Sequence, residues 1–501
     1  MNARKDAAIF DGRHIYFVGI GGCGTSGLAL MMQARGATVS GSDATQSETT
    51  DALVSAGIPV SIGVAPEALT SGIDLMIYSA AIGSDHPERV RAESLGIESM
   101  TYAEALGAAQ SGRTAIAIAG THGKSTTAAL LAHLLVESNL DPSVIVGANC
   151  PQLQGGTRTG SARIPIGPLA GLPGIFVAEA CEFNRSFHCH QPTIALINNL
   201  EEDHLDIYGS LDEIVKAFRV FAGLLPAAAL GGRLLIGHEG AHRRSVASGL
   251  QCAVSTFGWS PTADYRVEYD PTTSATAIWH RDELLLAWRG ALAGEHNALN
   301  SAAAAILAHW LGAELGSIKQ ALENFRGVDR RMQSLGACTA RNGARVRVFD
   351  DYGHHPTECE KTLTALRHAE SPKRIICVFQ PHQHSRTRFL LEQFAASFSR
   401  ADLVIVPPIY FVRDSEIERT KVSSHDLAAR LNARGVAARA IDAFESIVEF
   451  LHENAADGDL ILVMGAGPVW KIGHDFVKQS RPSIDSAATS MPSRAAASPI
   501  A

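Results

Sequence analysis

Twice near the start of this chain a short apolar run passes straight into glycines and then into a helical pattern. The first instance is HIYFVGIGGCGTSGLALMMQARG, residues 14–36. The second is TAIAIAGTHGKSTTAALLAHLLVES, residues 114–138. A continuous apolar run reads as a parallel strand buried on both faces. A glycine turn leading into a helix turns backbone N–H groups and the positive end of the helix dipole toward one point, which suits a phosphate. Two such junctions commit the chain to an α/β architecture. In open sheets of that kind, ligands bind where the strands end.

In the first loop Gly19, Gly21 and Gly24 satisfy G-x-G-x-x-G, with Gly22 between them. Asp43 follows about twenty residues on, at the end of the next strand, ATVSGSD. This is the dinucleotide pattern, with an acid placed for a ribose hydroxyl. Any diphosphate satisfies the same N–H groups, so NAD and other nucleotides both remain open. A tight turn with no ligand is the plainer reading.

The second loop is unusually short. The pattern G-x-x-x-x-G-K-[ST] would put a glycine at Ile118, yet Gly123, Lys124 and Ser125 complete its end. Gly120 and Gly123 bend the backbone, Lys124 reaches terminal phosphates, and the Ser125 hydroxyl is placed for Mg²⁺. Strand ends near such a loop supply further ligands. Glu179 closes GIFVAEA, with Glu182 just beyond, and NNLEEDHLDIYG carries Asp203 and His204. His204 reads either as a metal ligand or as a capping or core histidine.

Further along, weak β-like segments between about 231 and 291 precede an alanine-rich helix, NALNSAAAAILAHWLG. The Gly- and Pro-rich stretch 151–173 reads as loop. FRGVDRRMQSLG, 325–336, breaks the pattern and marks a boundary. A third unit follows, with strands RVRVFDDY, RIICVFQP, ADLVIVPP and DLILVMGAG alternating with helices. Its loops FDDYGHHPTE and FQPHQHSRTR hold two aspartates, four histidines and two arginines, a density that packing alone does not call for. Zinc is one reading of the histidines, but their spacing matches no known zinc pattern. From 481 the sequence is of low complexity and reads as a disordered tail.

At 501 residues, with 46% hydrophobic and 19% charged residues, the chain suggests about three domains with well-filled cores. A net charge of −8 argues against nucleic acid as a main partner. No apolar run approaches the ~20 residues that span a bilayer, and the N-terminus lacks the apolar stretch of a signal peptide. Eight scattered cysteines with no CxxC pair fit a reduced, cytoplasmic setting.

Taken together, GIGGCGTSGLA, GTHGKSTT, AEACEFNRSF, NNLEEDHLD, GEHNALNSAAA, GVDRRMQ, DDYGHHPTE, QPHQHSRTR and GAGPVWKIG resemble the Mur ligase family in number, order and spacing over nearly the whole chain. The resemblance implies an α/β fold of three domains. These are a Rossmann-like domain for a UDP-sugar at 12–110, a central ATPase-type domain at 111–327, and a C-terminal Rossmann-like domain at 328–480 contacting amino acid and nucleotide. It implies ATP-dependent joining of L-alanine to the lactyl carboxylate of UDP-N-acetylmuramate, with ATP and Mg²⁺ as cofactors and hinge motion near 327–335.

Residue by residue, the resemblance makes the short loop the ATP site, with Gly120, Thr121, His122, Gly123, Lys124, Ser125 and Thr126 around the phosphates. Ser125 and Glu179 hold one Mg²⁺, and His204 meets a second. His296, Asn297 and Asn300 contact the nucleotide or shape its site, and Arg330 follows the hinge. Asp351, Tyr352 and His354 approach the adenosine. His382, Arg386 and Arg388 point towards the phosphates or the amino-acid carboxylate. The first loop, Gly19, Gly21, Gly22, Gly24 and Asp43, takes the UDP-sugar diphosphate. Lys124, His204, Arg386 and Arg388 carry the chemistry.

This sequence departs from the family pattern in places. Cys181 and Asn184 stand where many relatives have acids, Lys216 has no assigned role, and VPPIYFVRDSE (406–416) fits poorly. The rival readings are a ligase that adds a recycled tripeptide to the same UDP-sugar, an NAD-dependent dehydrogenase built on the first loop, and a nucleotide-binding regulator without catalysis. The oligomeric state is left open.

Overall fold

The computed structural model describes residues 10–412 and 414–482. The tail expected from 481 therefore lies, from 483 onward, outside the described residues. The fold is α/β with three sheets. The chain divides into two compact units, one ending at Asp329 and the other beginning at Arg330.

The first sheet has five parallel strands. Their order is Val60–Ile62, Thr38–Asp43, His14–Val18, Leu75–Tyr78, Glu98–Thr101. Burial on both faces explains the unbroken apolar run. Ile15, Phe17 and Ile77 join one core, while Tyr16, Val18 and Met76 join another on the opposite face. Strand order reverses beside His14–Val18, so the first glycine loop leaves the sheet at its switch point.

The second sheet has ten strands. At its centre, Thr114–Ala119 lies between Ile194–Ile197 and Ile175–Glu179, all parallel. At its edges the sheet is antiparallel. Ala275–His280 pairs antiparallel with Tyr265–Asp270 and with Glu283–Arg289, and Ser143–Cys150 pairs antiparallel with Gly155–Arg158. Connections of a few residues are too short for a parallel crossover, so they give hairpins. Arg281, at φ +58°, turns one of them. The strand Ser143–Cys150 was not among those expected, and Gly155–Arg158 falls in the stretch read as loop.

These two sheets share a core. Ile145, Phe176 and Ala178 of the second sheet belong to the cluster that holds Phe17, Met31 and Leu106. The helix Tyr102–Gln110 makes the seam close. A Cβ on Gly107 would stand 1.9 Å from the Cys189 carbonyl oxygen.

The second unit has a seven-stranded sheet. Arg345–Asp351, Asp459–Met464 and Arg374–Phe379 are parallel neighbours, so their carboxyl ends lie together. The segment read as a boundary also contains a strand, Gln333–Thr339, antiparallel to Arg345–Asp351. Among the described residues no helix is long and apolar enough to cross a membrane.

Candidate active site

The short loop is short because its strand runs further. Ile118 is fully buried in the sheet, paired with Leu196 on one side and Glu179 on the other. The turn then occupies only Gly120–Gly123. Gly123, at φ +81°, is the N-cap of the helix Lys124–Glu137, and no side chain caps it. Its amides are left for an anion.

Lys124 folds back over this loop. Its Nζ donates to the carbonyls of Gly120 (2.6 Å) and Thr121 (3.0 Å) and to Glu182 Oε1 (3.0 Å), with Glu182 Oε2 at 2.9 Å. Burial is the largest single influence and works against the ammonium, but Glu182 together with Cys181 and Glu179 outweighs it and pushes the lysine pKa up to about 12.

Three residues that sequence reasoning passed over hold the loop's shape. Asn199 Oδ1 accepts from the His122 amide at 2.8 Å. Asn198 Nδ2 donates to Thr127 Oγ1 at 3.1 Å, and that hydroxyl donates to Asn300 Oδ1 at 3.2 Å. Thr121 Oγ1 accepts from the Glu201 amide at 2.9 Å. The paired asparagines of NNLEED stand at a strand end beside the loop, which was the available signal. Asn297 and Asn300 lie buried at the start of the helix Glu295–Trp310, with His296 just before them in sequence.

Glu182, Asp203 and His204 converge, their ligand atoms all within 4.8 Å of one another. His204 stands at a helix start and beside two carboxylates. Its backbone, at φ +52°, starts the helix Leu205–Tyr208, while its Nε2 lies 3.6 Å from Asp203 and 3.9 Å from Glu182. Glu179 ends its strand with Oε1 accepting from the Gly147 amide at 2.8 Å. Ser125 is buried in the first turn of its helix. Carboxylates and a hydroxyl suit an oxygen-preferring cation such as Mg²⁺, which commonly takes one or two carboxylates plus substrate phosphates. Lys216 stands apart on an exposed helix face, paired with Glu213 at 2.6 Å.

At the first loop, Gly22 precedes the helix Cys23–Ala34 and no side chain caps that helix either. Asp43 is engaged with the loop itself. It accepts from the Gly21 amide at 2.8 Å and from Thr45 at 3.2 Å. A Cβ on Gly24 would meet the Tyr102 hydroxyl at 2.4 Å, so this glycine serves packing as well as any ligand.

In the second unit the unusual loops gather at the carboxyl ends of the parallel strands. Part of DDYGHHPTE is a helix start. His355 is the N-cap of the helix Pro356–Glu370 and Glu358 completes a capping box, which accounts for His-Pro-x-Glu without any ligand. Asp351 accepts from the Met332 and Gly353 amides, both at 2.7 Å, and burial pushes its carboxyl up to about 6. Arg330 donates to the carbonyls of Gly465 (2.6 Å) and Gly467 (3.3 Å) and lies 3.4 Å from buried Asp350. Tyr352 and His354 stand edge to face, and the His354 and His382 rings are 5.7 Å apart.

The two arginines of QPHQHSRTR separate. Arg386 is buried with Nη1 3.3 Å from His382 Nδ1. Arg388 is held bidentately by Glu418 at 2.7 and 3.2 Å, and these bonds help hold the Glu418 carboxyl down to about 2. The segment 406–416 carries structure despite its poor fit to the pattern. Tyr410 exchanges backbone hydrogen bonds with Pro381 and Gln383, and Asp414 accepts from the Ser385 amide.

Three family models match the chain. They are the Mur ligase family catalytic domain over residues 14–114, the Mur ligase middle domain over 118–308, and the Mur ligase glutamate ligase domain over 330–467. A UDP-N-acetylmuramate–L-alanine ligase of Agathobacter rectalis is 36% identical, covering 93% of this chain and 98% of that protein. One from Lachnospira eligens is 37% identical over the same shares. Among solved structures, the UDP-N-acetylmuramate–alanine ligase of Thermotoga maritima matches with a TM-score of 0.73 at 25% identity, over 93% of this chain and 98% of that one. A murein peptide ligase of Psychrobacter arcticus shares the fold, with a TM-score of 0.69 at 23% identity over the same shares.

Proposed function

We infer the activity from one premise: the chain belongs to the Mur ligase family. It is an ATP-dependent amide ligase that joins L-alanine to the lactyl carboxylate of UDP-N-acetylmuramate, a step of peptidoglycan precursor synthesis. The observation that carries this reading is the 36% identity, across almost the full length of both chains, to a protein named for that reaction. The short glycine loop with Lys124 at a helix N-terminus agrees with it.

A carboxylate is a poor electrophile, so it is first activated. A lactyl carboxylate oxygen attacks the γ-phosphorus of ATP, the bond to ADP breaks, and an acyl phosphate forms. The neutral amine of L-alanine adds to the acyl carbon, and collapse of the tetrahedral intermediate expels phosphate. The Gly123 helix start and Lys124 bind the β- and γ-phosphates. Asn198, Asn199 and Thr127 keep that loop in shape, and Asn297 and Asn300 flank the nucleotide. Ser125, Glu179, Glu182, Asp203 and His204 are the residues that would hold Mg²⁺, whose contribution is to neutralise charge on the transferring phosphoryl group. The Gly19–Gly24 loop takes the sugar diphosphate, and Arg386 takes the alanine carboxylate in a bidentate grip. A cytoplasmic setting suits these substrates, and the eight cysteines stand as thiols.

The acyl phosphate makes the reaction traceable. With ¹⁸O in the lactyl carboxylate, one labelled oxygen should leave in inorganic phosphate for each amide formed. Label appearing in AMP, or none in phosphate, would refute this route.

A further inference from the structure

The ammonium of Lys124 makes three kinds of contact, and all lie within its own site: the Gly120 carbonyl, the Thr121 carbonyl and Glu182. An ammonium has three donors. A terminal phosphate can therefore reach Lys124 only by displacing one of these partners. The two carbonyls belong to the loop that must keep its shape, so Glu182 is the partner that yields. Glu182 is also the residue shared between two groupings. Both its oxygens lie within 3.0 Å of Lys124, and one of them, Oε1, is also 3.9 Å from His204, in the cluster with Asp203. Its side chain is 5% exposed, so once it leaves Lys124 water cannot replace the lost charge partner.

We propose that Glu182 is an exchange residue, holding Lys124 in the nucleotide-free loop and passing to the divalent cation beside Asp203 and His204 when a phosphate takes the lysine. Nucleotide and cation then promote each other's binding through one carboxylate. Without the cation, ATP must strand Glu182. Without ATP, the cation must strand Lys124. Such a coupling is reciprocal by thermodynamic necessity. Glu179, by comparison, accepts from the Gly147 amide at 2.8 Å. The proposal rests on the nucleotide reading of the loop.

The test is calorimetric binding of ATP, in EDTA and in Mg²⁺, to the native protein, Glu182→Gln and Glu179→Gln. In EDTA, Glu182→Gln should bind ATP about tenfold tighter than the native protein, the scale of one charge-assisted hydrogen bond no longer opposed. Its gain in affinity on adding Mg²⁺ should shrink. Glu179→Gln removes the same charge nearby without freeing a donor of Lys124, so it should tighten ATP binding in EDTA less than Glu182→Gln does. Unchanged or weaker binding by Glu182→Gln in EDTA would overturn the exchange, as would equal tightening by both variants. Should Glu182→Gln fail to fold, Glu182→Asp keeps the charge but shortens its reach, and it should tighten ATP binding in EDTA to a smaller degree. No tightening there would again overturn it. Failure of the native protein to bind ATP in either condition would instead refute the nucleotide reading itself.

Discussion

A lysine on a glycine loop is expected to contribute little packing and so to be expendable to the fold. The structure changes that expectation, because the lysine neutralises a carboxylate that is nearly buried. Lys124→Met should lower turnover by at least ~10²-fold, as expected for one preorganised charge contact. It should also destabilise the protein by about 3 kcal/mol, since it leaves Glu182 unpaired. Adding Glu182→Gln to Lys124→Met should restore most of the stability and none of the turnover. Urea unfolding and ADP release measured on the single and double variants check both halves. A single variant as stable as the native protein would show that the pair is not structural. A second contrast concerns the arginines. Arg386→Ala should raise KM for L-alanine more than Arg388→Ala, because Glu418 already occupies the Arg388 fork. Equal effects in steady-state kinetics would remove that distinction. Sequence could name both arginines but could not separate them, because Glu418 lies thirty residues away, just beyond a segment that matched the family pattern poorly.

At the scale of elements, the junctions of strand, glycine turn and helix were legible because local chemistry alone decides them. What escaped was whatever depends on neighbours distant in sequence. Asn139, Asp141 and Pro142 do mark a turn before the strand Ser143–Cys150, but its pairing partners are not written locally, and the antiparallel edges follow from connection lengths. Part of the histidine-rich motif proved to be a capping box at the helix Pro356–Glu370, a local signal hidden by its suggestive composition. The seam between the first two sheets yields two predictions. In an ordinary helix, Gly→Ala adds about 1 kcal/mol of stability. At Gly107 it should instead cost about 1–3 kcal/mol, because the new methyl meets the Cys189 carbonyl. A raised melting temperature for Gly107→Ala would contradict that packing. Next to it, buried His190 receives the Gln110 side-chain amide at 2.8 Å, and burial depresses its pKa to about 4. The unfolded chain takes up this proton below about 6.5, and the folded one only near 4. The protein should therefore lose stability as pH falls through that window, by about 3 kcal/mol from this group. His190→Gln should lose correspondingly less between pH 7 and pH 4.5 in urea titrations. An identical loss would clear His190 of the role.

For the whole molecule, the family and the reaction class were legible because nine short motifs keep their order across the chain. The choice of amine is the least legible part. An alanine ligase and a murein peptide ligase both share this fold, so the fold does not decide which amine is taken. A methyl group contributes only ~1–3 kcal/mol of discrimination, so glycine and L-serine should be slow alternative substrates. The most direct measurement is ADP release with UDP-N-acetylmuramate and Mg²⁺–ATP, offering L-alanine, glycine, L-serine or a tripeptide in turn. The predicted result is the highest kcat/KM with L-alanine, slow turnover with glycine and L-serine, and the tripeptide last. The highest kcat/KM with the tripeptide, or no amine-dependent ADP release at all, would contradict the account.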